Sequence, residues 1–288
     1  MSTLDLITPA EDAFFRQNGY LLLPSAVSQP EVATLLAEVT RLAGEAHELG
    51  AVLPEEHYVS NENSYRLFRI LRLSEQFDGL VDHRGYFGKL VSLIGTHIQL
   101  MGAEIFVRGE SIPSITNFHT DMGPGFQQIL PAPDNAFIQI KMQIFLTDLS
   151  EPDASNFVVV PGSHLVRVTD SDDYCKVNAI NREFGPNGEF PPAAKQIMAR
   201  PGDVILFTHS LWHAVAPNRS GRIRYSISLR YGQLGLRPFE RFDPVLNDPG
   251  RKLTLRQRRV LGDLGNDSPG AYRPLDQQAI IHGLRTAG

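Results

Sequence analysis

The chain has 288 residues, of which 42% are hydrophobic and 20% charged, values typical of a globular protein with a sizeable core. The formal net charge of −5 argues against a protein that binds nucleic acid by neutralising phosphates. Cys175 is the only cysteine, which excludes an intramolecular disulfide and a cysteine-based zinc site and fits a reducing compartment. No apolar signal-peptide segment and no run of about 18 apolar residues occurs, so we expect a cytoplasmic protein without a membrane span.

The first fifty residues predict two helices separated by a short strand. Thr8, Pro9 and two acidic residues mark the start of a helix that should end at Asn18–Gly19. The segment YLLLP then reads as a strand, and Ser28 caps a second, longer helix. Along that helix, apolar residues recur at helical spacing, at Val32, Leu35, Leu36, Val39, Leu42 and Ala43. We expect this apolar face to lie on a sheet.

From about residue 95 the pattern changes to short apolar runs separated by Gly, Pro, Asp and Asn. Strands at this density, without helices between them, predict a sandwich or barrel. Residues 170–192 have no clear period and predict a long surface loop that could act as a lid. We therefore expect one domain over residues 1–288, with helical support at 8–50, a β core at 95–232 and a C-terminal extension at 233–288.

The stretch NFHTDMGPG, residues 117–125, places His119 and Asp121 two positions apart. On a strand, residues i and i+2 point to the same side, so both side chains can converge on one metal ion. Two histidines and one carboxylate form the usual ligand set for iron(II) that activates oxygen. With nine histidines in the chain, one such pair also arises by chance, so an ordinary polar strand end is the alternative.

A third ligand is available in GDVILFTHSLWHAVAPNRSGRIRYSISLRYG, which reads as strand, turn and strand. The polar face of the last strand carries Arg222, Arg224, Ser226, Ser228 and Arg230. Interpreted as an antiparallel hairpin folded at Asn218–Arg219, the segment sets His213 opposite Arg224 on one side of the sheet. His209 is a competing ligand. Because a guanidinium binds carboxylates in bidentate fashion, a dicarboxylic co-substrate that chelates the metal would reach Arg224 with its other end.

Six motifs in this order resemble the phytanoyl-CoA dioxygenase family of Fe(II)/2-oxoglutarate-dependent oxygenases. They are FHTD, LTDLS, VVVPGSH, PGDVILF, LWHAVAPN and the arginine eleven positions after His213. The N-terminal FFRQNGYLLLPSAVSQPEVATLLAEV is similar to the opening of that family, and the likeness covers roughly residues 10–232. LWHAVAPN favours His213 over His209 as the distal ligand.

The resemblance implies a mainly β fold with flanking helices, a double-stranded β-helix of the jelly-roll or cupin type. It implies Fe(II) bound by His119, Asp121 and His213, with 2-oxoglutarate and O2 as co-substrates. Arg224, helped by Ser226, would bind the distal carboxylate of 2-oxoglutarate. Such enzymes release succinate and CO2 while they oxidise a substrate, most often by hydroxylation. Related halogenases carry Gly or Ala in place of Asp121, so a carboxylate here favours hydroxylation or another oxidation, such as desaturation or ring formation, over halogenation.

Two positions depart from the family's pattern. Val215 stands where some relatives have a hydroxyl residue, and Phe106 stands where others have Asn or Gln. These departures leave open which residues hold the metal-chelating end of 2-oxoglutarate.

The remaining candidates come from strand faces and from neighbours of the ligands. Gln143 is expected to contact 2-oxoglutarate or substrate, and Arg66 to contact 2-oxoglutarate, with a surface salt bridge as its alternative. The expected substrate contacts are Gln139, Lys141, Phe118, Phe126 and Trp212; a solvent-facing strand or simple core packing are the alternatives for this set.

The sequence thus predicts an enzyme that oxidises a small molecule, and favours a secondary metabolite. We expect no nucleic acid or membrane partner and a monomer or homodimer. Two other functions stay open: a catalytically silent β-helix that binds a ligand or partner, and a cupin-type metalloenzyme that needs no 2-oxoglutarate.

Overall fold

The computed structural model describes residues 4–49, 57–61, 64–111, 116–121, 136–166, 183–184 and 189–265. The helices are α1 (Pro9–Asn18), α2 (Gln29–Leu49), α3 (Ile70–Leu73), α4 (Phe87–Ile94), α5 (Asp243–Leu246) and α6 (Leu255–Val260), with 3-10 turns at Glu75–Leu80 and Ser163–Leu165. The strands are β1 (Tyr20–Leu23), β2 (His57–Asn61), β3 (Ser64–Phe68), β4 (Ile98–Arg108), β5 (Thr116–His119), β6 (Gln139–Phe145), β7 (Phe157–Val159), β8 (Lys195–Ile197), β9 (Val204–Thr208), β10 (His213–Val215) and β11 (Arg224–Gln233).

The strands form two antiparallel sheets. The larger has the order β1-β9-β6-β11-β4-β3-β2 and the smaller the order β5-β10-β7-β8. Large apolar side chains from both sheets meet in one buried cluster, which includes Phe145 and Phe207 of the large sheet and Phe157 and Ile197 of the small one. The sheets therefore face each other, and the predicted double-stranded β-helix with flanking helices is confirmed.

The helices cover the other face of the large sheet. The predicted apolar stripe of α2 is buried there at Val32, Leu35, Val39, Leu42 and Ala43, with Leu36 packed at its edge. The same cluster contains the alternate residues Ile227, Leu229 and Tyr231 of β11. Because successive side chains of a strand point to opposite faces, the apolar side chains of β11 pack against the helices and its polar side chains point into the space between the sheets.

The entry from α1 into the large sheet follows the predicted capping signals. Thr8 and Glu11 form a reciprocal capping box at the start of α1. Gly19 ends the helix with φ +82°, and a Cβ at this position would lie 2.6 Å from Nδ1 of His164. Both the left-handed backbone and this close approach require glycine. The turn allows β1 to pair with β9 immediately afterwards.

The predicted hairpin between β10 and β11 is wrong. β10 pairs with β5 and β7 in the small sheet, whereas β11 pairs with β4 and β6 in the large sheet. The intervening turn carries the chain from one sheet to the other. Asn218, fully buried, holds this crossover by donating from Nδ2 to the carbonyls of Arg108 and Arg222 at 3.2 and 2.8 Å.

Other parts of the fold had no clear sequence signal. The strands β3 and β2, which end one side of the large sheet, and the helix α4 were not predicted. The helix α6 begins at a capping box of Thr254 and Gln257. Most of the predicted lid at 170–192 lies outside the described residues. None of the helices in the described part of the chain is both long and apolar enough to cross a membrane.

Candidate metal and co-substrate site

Three potential metal ligands meet at one end of the space between the sheets. His119 ends β5 and His213 begins β10, and the two are direct cross-strand partners. Asp121 follows β5 and donates its backbone N–H to the carbonyl of His209 at 3.0 Å. One ligand atom of each of the three side chains lies within 4.8 Å of the others. The arrangement places two imidazoles and a carboxylate around one point.

The two oxygens of the Asp121 carboxylate have different surroundings. Oδ1 lies 3.2 Å from Nζ of Lys141 and 3.1 Å from Nη2 of Arg230. Oδ2 is buried, has no hydrogen-bond partner among the described residues, and lies 3.8 Å from Nε2 of His213. Burial by itself would raise the pKa of Asp121, but Lys141 and Arg230 hold it well below the usual value. The carboxylate is therefore ionised, and one of its oxygens lacks a partner.

His213 presents a neutral imidazole to the same point. Its Nδ1 donates to the carbonyl of Leu211 at 2.9 Å, which leaves Nε2 with the lone pair. Burial, with a contribution from His119, lowers the pKa of His213 to about 3. A buried carboxylate oxygen without a partner among the described residues and two imidazoles fit a divalent transition metal, for which these are the usual donors.

Arg224 lies on the facing wall and is 2% exposed. Its Nη1 donates to the carbonyl of Ser155 at 2.6 Å, whereas Nε and Nη2 have no hydrogen-bond partner among the described residues. Burial, together with the neighbouring Arg108, lowers the pKa of Arg224 to about 9. A buried guanidinium with two free donors is arranged to accept a carboxylate in bidentate fashion.

Buried amides continue the polar face of β6 beside Arg224. Gln143 donates from Nε2 to Oγ of Ser226 at 3.0 Å, and its Oε1 has no partner among the described residues. Gln139 is fully buried, and neither atom of its amide has a hydrogen-bond partner in the described structure. The solvent-facing alternative for this strand is therefore wrong, because its polar side chains point between the sheets.

An ion-pair network links the metal ligands to the edge of the large sheet. Lys141 lies 3.2 Å from both Asp121 and Glu104, and Arg66 donates to the same Glu104. Burial would raise the pKa of Glu104, but Lys141, Arg66 and Arg230 together lower it. The surface salt bridge considered for Arg66 is thus a partly buried one, next to the site.

Two cavities adjoin this network. The first, of about 440 Å³, is lined by the three candidate ligands and by Arg66, Lys141, Gln143, Arg224 and Arg230. Phe106 and Val215, the two departures from the family's pattern, line it as well. The second, of about 330 Å³, is lined by Phe68, Glu104, Phe239 and Glu240 among others. It is large enough to hold part of a small molecule beside the first.

Two predicted substrate contacts lie on the opposite face of the small sheet. Phe118 and Trp212 are buried in a cluster with Val158, Ala214 and Ala216. Each is adjacent in sequence to a candidate ligand, so strand alternation directs it away from the metal point. Neither lines the first cavity, which supports their alternative as core residues. Phe126 lies outside the described residues.

The sequence interpretation assigned no site role to three charged residues: Glu104, Arg108 and Arg230. A signal for each was present. Alternation along β11 puts Arg230 on the face of Arg224, and alternation along β4 puts Glu104 and Arg108 on the face of Phe106. Arg108 is the direct cross-strand partner of Arg224.

Comparison with known proteins agrees with the geometry. Residues 15–226 match the phytanoyl-CoA dioxygenase (PhyH) family. Ectoine dioxygenase of Nocardia farcinica is 24% identical over 246 residues, which cover 76% of each chain. Dioxygenase lolE1 of Epichloe uncinata is 26% identical over 248 residues, 83% of this chain and 86% of that protein.

Solved structures share the fold. HygX of Streptomyces hygroscopicus, determined with nickel, 2-oxoglutarate and hygromycin B, superposes with a TM-score of 0.66 at 16% identity, over 81% of this chain and 90% of HygX. SnoK, a non-heme alpha ketoglutarate dependent carbocyclase from nogalamycin biosynthesis, gives a TM-score of 0.60 at 20% identity, over 83% of this chain and 90% of SnoK.

Family, relatives and donor set agree on one class of chemistry. The protein is an Fe(II)/2-oxoglutarate-dependent dioxygenase, with Fe(II), 2-oxoglutarate and O2 as its cofactor and co-substrates. The chain belongs to the phytanoyl-CoA dioxygenase family.

Proposed function

We propose that this enzyme hydroxylates an unactivated C–H bond of a small molecule of secondary metabolism. The observation that carries the proposal is the pairing of two incomplete groups across one cavity. Among the described residues, Oδ2 of Asp121, beside two imidazoles, has no hydrogen-bond partner, and neither do Nε and Nη2 of Arg224. A metal ion satisfies the first, and a dicarboxylate that chelates the metal satisfies the second.

In this proposal His119, Asp121 and His213 hold iron(II). Iron with 2-oxoglutarate and O2 supplies an oxidant that can take a hydrogen atom from an unactivated carbon. The overall reaction converts substrate R–H, O2 and 2-oxoglutarate into R–OH, succinate and CO2. One oxygen atom enters the product and the other enters succinate, so no further reductant is needed.

The chain's own residues orient the co-substrate. Arg224 would receive its distal carboxylate, and Gln143 lines the same cavity. Ser226 would help by holding Gln143, since its Oγ accepts a hydrogen bond from Nε2 of that residue. The unpartnered Oε1 of Gln143 is free to accept a hydrogen bond. Burial of these groups between the sheets excludes water, which strengthens each ion pair.

Two observations support hydroxylation of a small molecule. A carboxylate occupies the position that a halide would need, and Lys141 and Arg230 fix it there. The two relatives named above are dioxygenases. Of the structural neighbours, HygX was determined with hygromycin B bound, and SnoK acts in nogalamycin biosynthesis. Because one neighbour is a carbocyclase and another an epimerase, the same fold also supports other oxidative outcomes in those proteins.

The substrate would lie above the metal, between the polar face of β6 and the network at its edge. The unpartnered amide of Gln139 makes it a predicted substrate contact. Lys141 contacts both Asp121 and Glu104, so we propose that it acts on the substrate mainly by positioning Asp121.

The test is an anaerobic titration of Fe(II) into apo-protein with 2-oxoglutarate, monitored by the weak visible charge-transfer band of the chelate. We expect a band in the wild type, loss of the band in His213→Ala, and a higher 2-oxoglutarate requirement in Arg224→Ala. Arg222→Gln, an exposed arginine two positions away, is the matched control and should behave as the wild type. A folded wild type without a band would refute the proposed site.

The reaction outcome needs a second measurement. After O2 is admitted with candidate small molecules, product mass spectrometry should show the gain of one oxygen atom together with one succinate per product. A product that has lost two hydrogens without gaining oxygen would replace hydroxylation by desaturation or ring formation.

A further inference from the structure

The charges around the first cavity do not balance. Next to Arg108, four cationic side chains line it: Arg66, Lys141, Arg224 and Arg230. Among the described residues, the carboxylates that accompany them are Asp121, on the cavity wall, and Glu104, paired with Arg66 and Lys141. These four cations therefore exceed the two described carboxylates by two positive charges. Iron(II) and the 2-oxoglutarate dianion cancel each other, so the loaded site retains the excess.

An excess of this size points to a further anion. Two of these side chains are deeply buried, Lys141 at 6% and Arg224 at 2% exposed. Buried charges are costly unless they are paired.

The location of that anion is indicated by two residues. Arg66 and Arg230 are the residues that line both cavities in the described structure. Both guanidiniums are stacked on aromatic rings. The Cζ of Arg66 lies 4.9 Å from the ring centres of Phe68 and Phe106, and the Cζ of Arg230 lies 4.7 Å from that of Phe239.

Each of these guanidiniums also has one edge held by a carboxylate. Arg66 donates from Nε and Nη2 to Glu104, and Arg230 donates from Nη2 to Asp121. The remaining N–H groups have no partner among the described residues. Stacking and one-sided pairing fix the plane of each guanidinium and leave its other edge available, which is the arrangement that binds a planar or tetrahedral oxyanion.

We propose that the substrate carries an anionic group, a carboxylate or a phosphate, which Arg66 and Arg230 bind at the junction of the two cavities. This inference rests on the proposed function. Arg66 is thereby assigned to the substrate instead of to 2-oxoglutarate. Arg230 is 3.1 Å from Asp121, so the anion would lie close to the metal and direct a neighbouring carbon towards it. The rest of the molecule would extend over Phe239, whose side chain is 58% exposed.

The test compares anionic and neutral probes on protein loaded with Fe(II) and saturating 2-oxoglutarate, under argon and at constant ionic strength. Benzoate and benzamide have nearly the same shape and differ in charge, and phenyl phosphate supplies the other oxyanion. Isothermal titration calorimetry should show benzoate or phenyl phosphate binding at least about tenfold more tightly than benzamide, the effect of one charge-assisted hydrogen bond. The tighter of the two anions identifies the oxyanion.

Two variants of opposite sign sharpen the test. Arg66→Gln should weaken anion binding about tenfold and leave benzamide unchanged. Glu104→Gln, which releases Arg66 and removes a negative charge, should strengthen anion binding. The control is Arg241→Gln, which removes the same charge from a side chain that is 89% exposed. It should change the affinity for neither the anions nor benzamide.

Equal binding of benzoate and benzamide to wild type overturns the inference. So does anion binding that is unchanged in a folded Arg66→Gln, or that is not strengthened in Glu104→Gln if the arginine variant does not fold. The charge-transfer band is recorded on the same samples. A band without anion preference overturns this inference alone, whereas a missing band overturns the proposed function.

Discussion

Replacing Arg224 by methionine should separate co-substrate binding from folding. The substitution keeps the volume of the side chain and removes two donors, Nε and Nη2, that have no protein partner in the described structure. Hydrogen bonds to charged groups contribute about 1.5–3 kcal/mol each. Two of them give at least about 3 kcal/mol, which corresponds to roughly 150-fold weaker binding of 2-oxoglutarate.

The apo-protein should change much less. Removing an unpaired buried charge favours the fold, whereas the carbonyl of Ser155 loses its donor, and the two effects oppose each other. At 2-oxoglutarate of about 100 times the wild-type Kd, ligand stabilisation of about 2.7 kcal/mol should fall to about 0.3 kcal/mol in Arg224→Met.

Urea unfolding of the Fe(II)-loaded protein with and without 2-oxoglutarate measures both effects. Arg222→Met, on the same segment but with a 59% exposed side chain, controls for loss of charge. If Arg224→Met binds 2-oxoglutarate within about threefold of the wild type, the reasoning from free donors is refuted.

Three further results are expected. Burial raises the pKa of Glu240 to about 7, from 4.5, against the opposing effects of the Ala103 N–H, Arg72 and Arg69. Between these pH values the unfolded chain has released a proton that the folded chain keeps, so the folded state loses stability as pH rises. Glu240→Gln should therefore gain about 1–2 kcal/mol relative to the wild type between pH 5 and 8, measured by urea unfolding, and a pH-independent difference would contradict the argument. Asn218→Ala should lower the unfolding free energy by about 2–4 kcal/mol and also weaken 2-oxoglutarate binding, because it removes the hydrogen bonds to the carbonyls of Arg108 and Arg222 that hold the crossover. Arg219→Ala, with a 58% exposed side chain, should change neither the stability nor the binding. Phe118→Leu should lower the unfolding free energy by about 1 kcal/mol or more and leave the Kd of 2-oxoglutarate within about twofold of the wild-type value. A large change in Kd with little change in stability would show that Phe118 lines the pocket.

Local patterns in the sequence were sufficient for several elements. The Thr8–Glu11 cap, the stripe of α2 and the strict alternation of β11 each depend on neighbours within a few residues, and the structure has all three. The alternation of side chains along a strand also places Arg230 beside the site, and it turns Phe118 and Trp212 away from the site.

Long-range pairings could not be read in the same way. The residues of the turn PNRSG fit a hairpin and a crossover between sheets equally well. The difference is made by Asn218, which bonds to the carbonyl of Arg108, 110 positions earlier in the chain. Likewise, nothing local shows that Lys141 contacts Asp121 and Glu104, since these three residues lie on separate elements.

The crossover at Asn218 also has a consequence for engineering. His213 and Arg224 are eleven positions apart in the sequence yet belong to opposite walls, so this short segment sets the gap that a five-carbon diacid must span. Substrate range could be redesigned by exchanging Phe68 and Phe239, which line the second cavity, without altering that gap. A single residue inserted between 217 and 222 would have the opposite effect: it would leave the substrate-facing surface intact and misplace the co-substrate for every substrate alike.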